Sequence, residues 1–132
     1  VMRAHQILLA RVESALRPFD LSFSRFELLR LLAFSRTGAL PITKASVRLQ
    51  VHVTSVTHAI RRLESVGLVR RTPHPTDGRT TLVEITDIGR STVEEATTVL
   101  NRDVFADIGI SEDEAGSLAE IIESLRRSAG DF

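Results

Sequence analysis

Six side chains able to hydrogen-bond a polar partner crowd into one short stretch: Thr54, Ser55, Thr57, His58, Arg61 and Arg62. At 100° per residue, Thr54, Thr57, His58 and Arg61 fall on one side of a helix, with Ser55 and Arg62 at its flank. Val56, Ala59, Ile60 and Leu63 fall on the opposite side, so the segment has an apolar face to anchor and a polar face to offer. Hydroxyls and imidazoles on such a face can bond base edges or phosphates, and an arginine can pair with guanine in bidentate fashion or with phosphate. A second group follows in Pro73-His74-Pro75-Thr76-Asp77-Gly78-Arg79, a turn-forming run that carries a cation near its tip. His74 reads there as an ordinary loop residue.

Other chemistries lack their parts. The chain has no cysteine, which excludes disulfides, thiol nucleophiles and thiolate metal sites. His5, His52, His58 and His74 include no pair at the i,i+4 spacing of a helical metal site, so no metal and no cofactor is expected. Asp87, Glu94 and Glu95 offer carboxylates and His58 a base, but no phosphate-cradling loop or nucleophile motif accompanies them. No catalytic residues are assigned, and the chain is not read as an enzyme.

The elements that must position the two groups can be traced along the chain. Apolar residues at Leu8, Leu9, Val12 and Leu16 predict a helix over 2–17, stopped by Pro18. Ser22 or Ser24 can cap the next helix, and Ser24 with Glu27 has capping-box spacing. That leucine-rich helix ends at Gly38. A short helix over 43–49 and a break at Gln50, Val51 and His52 lead to the polar-faced helix, 53–65, with Gly67 as its left-handed end. The period then changes to strands at 68–72 and 80–86, a hairpin with a long basic loop. Thr86 caps a long helix to about Ile108. Ser111 and Glu114 form a capping box for a last helix, striped by Leu118, Ile121, Ile122 and Leu125. The fold class is mostly α with a small β-hairpin wing: a winged helix-turn-helix.

The 132 residues are 42% hydrophobic and 26% charged, the balance of one globular domain over 1–132. Formal net charge is zero, yet it is unevenly spread. Residues 1–41 hold six arginines against three acids, or +3; residues 42–83 hold seven basic side chains against two acids, or +5. Residues 84–132 hold four against twelve, or −8. A basic middle and an acidic end suggest that one part meets phosphate and another avoids it. No apolar run approaches the length of a membrane span. The opening segment mixes Arg3, His5, Arg11 and Glu13 with apolar residues, unlike a secretory leader, and a cytoplasmic location is expected.

Three stretches resemble the MarR family of transcription regulators: Leu63 to Arg71 (LESVGLVRR), Asp77-Gly78-Arg79, and Leu82 to Arg90 (LVEITDIGR). The resemblance covers about residues 40–90. It implies a DNA-binding lobe over 22–86 and dimerisation helices over 1–18 and 87–132. It further implies a homodimer on a near-palindromic double-stranded operator, with repression as the expected sense. The DNA contacts would then be Thr54, Ser55, Thr57, His58, Arg61, Arg62 and the wing's Asp77 and Arg79, the aspartate holding the arginine in position. Leu8, Leu9, Val12, Leu118, Ile121, Ile122 and Leu125 would form the subunit interface. Many members are displaced from DNA by a small aromatic or anionic effector, and the absence of cysteine leaves no thiol peroxide sensor here. The alternative is a winged helix that contacts only protein.

Four residues depart from the family's pattern. His52 stands where a Ser or Thr cap is usual, so Thr54 is expected to cap instead or the helix to start late. Gln50 stands where glycine is common, and Ala45 and Ser46 make the short helix weakly apolar.

Overall fold

The computed structural model describes residues 1–131. Phe132, the last residue of the expected single domain, lies outside them. Helix α1 (Met2–Leu16) buries Val12 and Leu16. Pro18 does not break the chain sharply; it fits the early positions of a tight 3₁₀ turn, Arg17–Phe19, which closes on Asp20 in the left-handed region (φ 55°). Ser22 then caps α2 (Phe23–Phe34) by accepting the Arg25 N–H at 3.3 Å. The Ser24–Glu27 box does not form, because Ser24 already lies inside the first turn.

After α2 the chain turns through Gly38 (φ 74°) into a strand absent from the sequence-based expectation, β1 (Ala39–Pro41). Helices α3 (Ile42–Leu49) and α4 (Val53–Ser65) follow, then β2 (Val69–Pro73) and β3 (Thr81–Ile85). The sheet is three-stranded and antiparallel in the order β1-β3-β2, with Leu40 opposite Val83 and Arg71 opposite the same valine across β3. A three-residue strand is too short for period-two alternation to show, so only the hairpin was visible in the sequence.

Thr86 joins the lobe to α5 (Asp87–Leu100). Its hydroxyl donates to the Gly67 carbonyl at 2.7 Å and accepts the Gly89 N–H at 3.0 Å, capping the helix and pinning it to the end of α4. The expected run to Ile108 is interrupted: a wide π-helical turn, Asn101–Phe105, follows α5, closed by Ala106 N–H to the Asn101 carbonyl. Gly109 (φ 92°) reverses the chain, and the expected Ser111–Glu114 capping box opens α6 (Glu112–Ser128).

One core joins these parts. Leu16 of α1, Leu28, Leu29 and Leu32 of α2, Ile60 and Leu63 of α4, Val83 of β3 and Val93 and Leu100 of α5 are almost wholly buried. In contrast, α6 buries none of its residues. Among the described residues, no helix is long and apolar enough to cross a membrane.

Gly89 is where α5 crosses the start of β2. A Cβ there would sit 2.0 Å from the Leu68 carbonyl oxygen, and that oxygen already accepts the Thr86 N–H. Backbone cannot swing aside as a side chain can. Gly89→Ala is therefore expected to destabilise the fold by roughly 1–3 kcal/mol or more, measured by urea unfolding. An unchanged midpoint would mean that α5 can shift along the sheet.

Candidate nucleic-acid interface

Helix α4 carries the polar face expected of it. Val56, Ile60 and Leu63 are buried and Ala59 is half-buried, while Thr54, Ser55, His58, Arg61 and Arg62 are exposed and Thr57 is half-buried. The cap differs from the expectation. His52 itself is the N-cap: its Nδ1 accepts the Thr54 N–H at 3.2 Å and lies 3.0 Å from the Thr54 hydroxyl. The helix therefore does not start late. Gln50 adopts the left-handed turn (φ 54°) that a glycine would take most easily, and the buried Ser46 hydroxyl secures the turn by donating to the Val51 carbonyl at 2.6 Å.

The polar side chains of α4 do not all remain free. Thr57 donates its hydroxyl to the Val53 carbonyl at 3.0 Å. Arg62 reaches Asp20 at 2.6 Å, which ties the far end of α4 to the junction of α1 and α2. Ser55, His58 and Arg61 have no such side-chain tie among the described residues. Arg70 is held by both oxygens of Glu84 (3.0 and 3.1 Å), and Arg71 lies 3.5 Å from Glu64. Those two arginines are occupied within the lobe.

Two basic residues that motif reading passed over join the same surface. Lys44 and Arg48 lie four apart on α3, on one face, and both are exposed. The only sequence signal for them was the +5 charge of residues 42–83.

The wing loop is organised from within. His74 Nδ1 accepts the N–H groups of Thr76 (3.2 Å) and Asp77 (3.1 Å), and the His74 N–H meets the Thr80 carbonyl at 3.0 Å. Asp77 accepts the Arg79 backbone N–H at 3.0 Å and the Thr80 hydroxyl at 2.9 Å. The aspartate thus shapes the main chain under Arg79 instead of gripping its guanidinium, which is left exposed at the tip. These bonds to the charged carboxylate, the backbone N–H of Arg79 foremost and the Thr80 hydroxyl next, lower the Asp77 pKa. The Arg70 guanidinium likewise lowers that of Glu84.

The expected interface residues divide. Leu118, Ile121, Ile122 and Leu125 line exposed α6, and Leu8 and Leu9 are half-buried beside His5, Phe23 and Phe105. Val12 differs from them: at 5% exposure it belongs to the protomer's own core, with only its edge lining the same small cavity.

A short α3, a tight turn, an exposed polar helix seated on a core and a hairpin with a cationic tip define a winged helix-turn-helix protein. A sequence profile of the MarR family matches residues 21–81. Sco5413 from Streptomyces coelicolor, a MarR family transcriptional regulator, is 45% identical and superposes with a TM-score of 0.91, over 99% of this chain and 91% of that one. This chain belongs to the MarR family. A mutant MarR from E. coli, solved with operator DNA, shares the fold at 22% identity and a TM-score of 0.86, over 94% of this chain and 89% of that one. The transcriptional repressor IacR of Pseudomonas putida is 30% identical over 92 residues, 70% of this chain and 54% of the relative. The chain spans about half to just under two thirds of the length of such curated relatives.

The wing should be acid-sensitive. A carboxylate whose folded pKa lies below its unfolded value stabilises the fold above the unfolded value and loses that contribution as pH falls through the folded one. For Asp77 the window opens below the ordinary 3.8. Exchange protection of the Arg79 amide is expected to hold down to that pH and fall beneath it. Protection that is flat to pH 2.5 would show that the turn does not need the charged carboxylate.

Proposed function

We propose that this chain is a sequence-specific DNA-binding transcription regulator, acting as a homodimer on a near-palindromic operator in the bacterial cytoplasm. The observation that carries the reading is the outer face of α4. Ser55, His58 and Arg61 stand exposed on a helix whose other side is fixed in the core, and the free Arg79 guanidinium stands on the wing beside it. The major groove is wide enough for one helix, and its base edges give each pair a distinct pattern of donors and acceptors. In this reading Thr54, Ser55, Thr57, His58 and Arg61 read the groove, and Arg79 on its Asp77-built turn reaches the adjacent minor groove or backbone. Arg62 joins them only by releasing Asp20.

Dimerisation accounts for α6. Its apolar stripe has no cover within the protomer, and a two-fold pairing would bury it and set two copies of α4 about one helical turn of DNA apart. The acidic first turn of α6 (Glu112, Asp113, Glu114) suits a position away from phosphate. Repression as the sense of control is supported by the likeness to IacR, a transcriptional repressor. An open cleft of about 690 Å³ between α1 and the end of α5, lined by Arg11, Phe19, Val99 and Arg102 among others, supports a small aromatic or anionic effector.

Selection of random duplex DNA by the purified protein is expected to enrich an inverted repeat, with affinity falling steeply as salt rises through counterion release. Folded protein that enriches nothing at low salt would instead indicate a winged helix that contacts only protein. On the selected duplex, Arg61→Ala and Arg79→Ala are each expected to cost roughly 1–3 kcal/mol. If both bind like the parent at several salt concentrations, those assignments are wrong. Ile122→Glu is expected to sediment as a monomer, and an unchanged profile would place the subunit contact elsewhere.

A further inference from the structure

The two elements proposed to touch DNA share one local device. His52 stands at the start of α4, where its Nδ1 accepts the Thr54 N–H. His74 stands at the base of the wing turn, where its Nδ1 accepts the N–H groups of Thr76 and Asp77, with the Thr76 hydroxyl 3.3 Å away. An imidazole nitrogen that accepts a backbone N–H carries no proton itself. Each ring therefore acts as an acceptor only when neutral, with its single proton on Nε2. Among the described residues, only these two of the four histidines accept backbone N–H groups, and there is one on each DNA-facing element.

Protonation sets donor against donor. At His74 an Nδ1–H would face two backbone N–H groups, and at His52 one. His52⁺ would also place a cation at the positive end of the α4 dipole. With these side-chain acceptors gone, the exposed Thr54, Thr76 and Asp77 N–H groups turn to water, and each turn loses the bonds that fix its geometry.

We propose that His52 and His74 are positioning residues for DNA recognition, holding the start of α4 and the wing in their binding geometry only as neutral Nε2–H imidazoles. The proposal rests on the DNA-binding reading above. It makes affinity fall on acidification, opposite in sign to the usual effect of adding positive charge near phosphate.

The charged groups around each ring are of mixed sign. The elements packed about the α3–α4 turn carry Glu27 of α2, which shares a small cavity with Val51 and Ser55, and Lys44 and Arg48 of α3. The C-terminal segment brings Asp131, whose carbonyl accepts Gln50 Nε2 at 3.4 Å and whose carboxylate is engaged by Arg126. Around His74 lie Asp77 and Arg79 of the same loop, and Asp77 feels the imidazole electrostatically. Asp77 favours a charged ring, but its carboxylate already accepts the Arg79 N–H and the Thr80 hydroxyl, so it does not restore an acceptor to the Thr76 and Asp77 N–H groups.

Imidazole ¹⁵N spectra of the free protein at about pH 8, above the range in which histidines ordinarily titrate, are expected to show Nδ1 unprotonated at both residues. The companion measurement is affinity for the duplex that the protein itself selects, followed from about pH 8 to about pH 5.5. The parent is expected to lose about twenty-five-fold, as two anchors worth about five-fold each are removed. His52→Ser with His74→Asn keeps an acceptor at each place that does not titrate, so its ratio of affinities across the same range should be far flatter. His52→Ala should bind more weakly than His52→Ser at both pH values. His58 is unchanged in every variant, so it does not distinguish them.

An Nδ1–H tautomer at either residue overturns the proposal. So does parent affinity that is constant or rises on acidification, or a double variant whose profile matches the parent's. If no duplex is selected at all, it is the DNA-binding reading that fails. Amide protection of Thr54 and Asp77 across the same pH range then decides the positioning role alone: a loss confined to the parent supports it, and equal protection in parent and double variant ends it.

Discussion

Everything proposed for this protein depends on the burial of one side of α4. Val56, Ile60 and Leu63 are withdrawn from water against α2, α3 and β2, and each such side chain stabilises the docked helix by about 1.5–3 kcal/mol. That apolar seat fixes the rotation of the helix about its axis. Because residues three and four apart share a face, fixing the inner side also aims Thr54, His58 and Arg61 outward together. An exposed polar face on a helix free to roll would have no defined reading geometry.

The small sheet does the same for the wing. β3 lies between β1 and β2, so the hairpin is braced on both sides of its second strand instead of standing as a two-stranded ribbon, which is marginal alone. Thr86 and Gly89 then clamp α5 to the end of α4 and the start of β2 through hydroxyl bonds and a backbone approach that leaves no room for a Cβ. The reading helix, the wing and the long helix leading to α6 thus meet at a single junction. Displacing α5 there cannot leave α4 and the wing untouched.

Ion pairs sort the basic residues into two sets. Arg62, Arg70 and Arg71 are turned to Asp20, Glu84 and Glu64, whereas Lys44, Arg48, Arg61 and Arg79 stay available to an outside anion. Exposed pairs of this kind add little stability. Their effect is orientation: they draw three cations inward to the lobe's edges and leave the positive charge concentrated on α3, the outer face of α4 and the wing tip.

Much of this was legible in the chain itself, because it was written in local rules. The helical period of α4, the Asp-Gly turn of the wing, the Thr86 cap and the Ser111–Glu114 box each depend on residues within a turn of one another. Partners distant in sequence were not legible. Strand β1 exists because β3 pairs with it, 41 to 45 residues away in register, and three residues carry no pattern of their own. Asp20 removes Arg62 from the free face across 42 residues, and Val12 is drawn into the protomer's core. His52 was misjudged for a subtler reason. Residue type made it a poor cap, but a ring can turn its unprotonated nitrogen onto the Thr54 N–H, and only the folded turn shows that it does. Sequence alone determined which faces are apolar, where helices begin and where cationic loops lie. Tertiary structure alone decided which of the exposed charges remain unpaired and how α4 and the wing are aimed, because those depend on contacts that close only when distant segments pack.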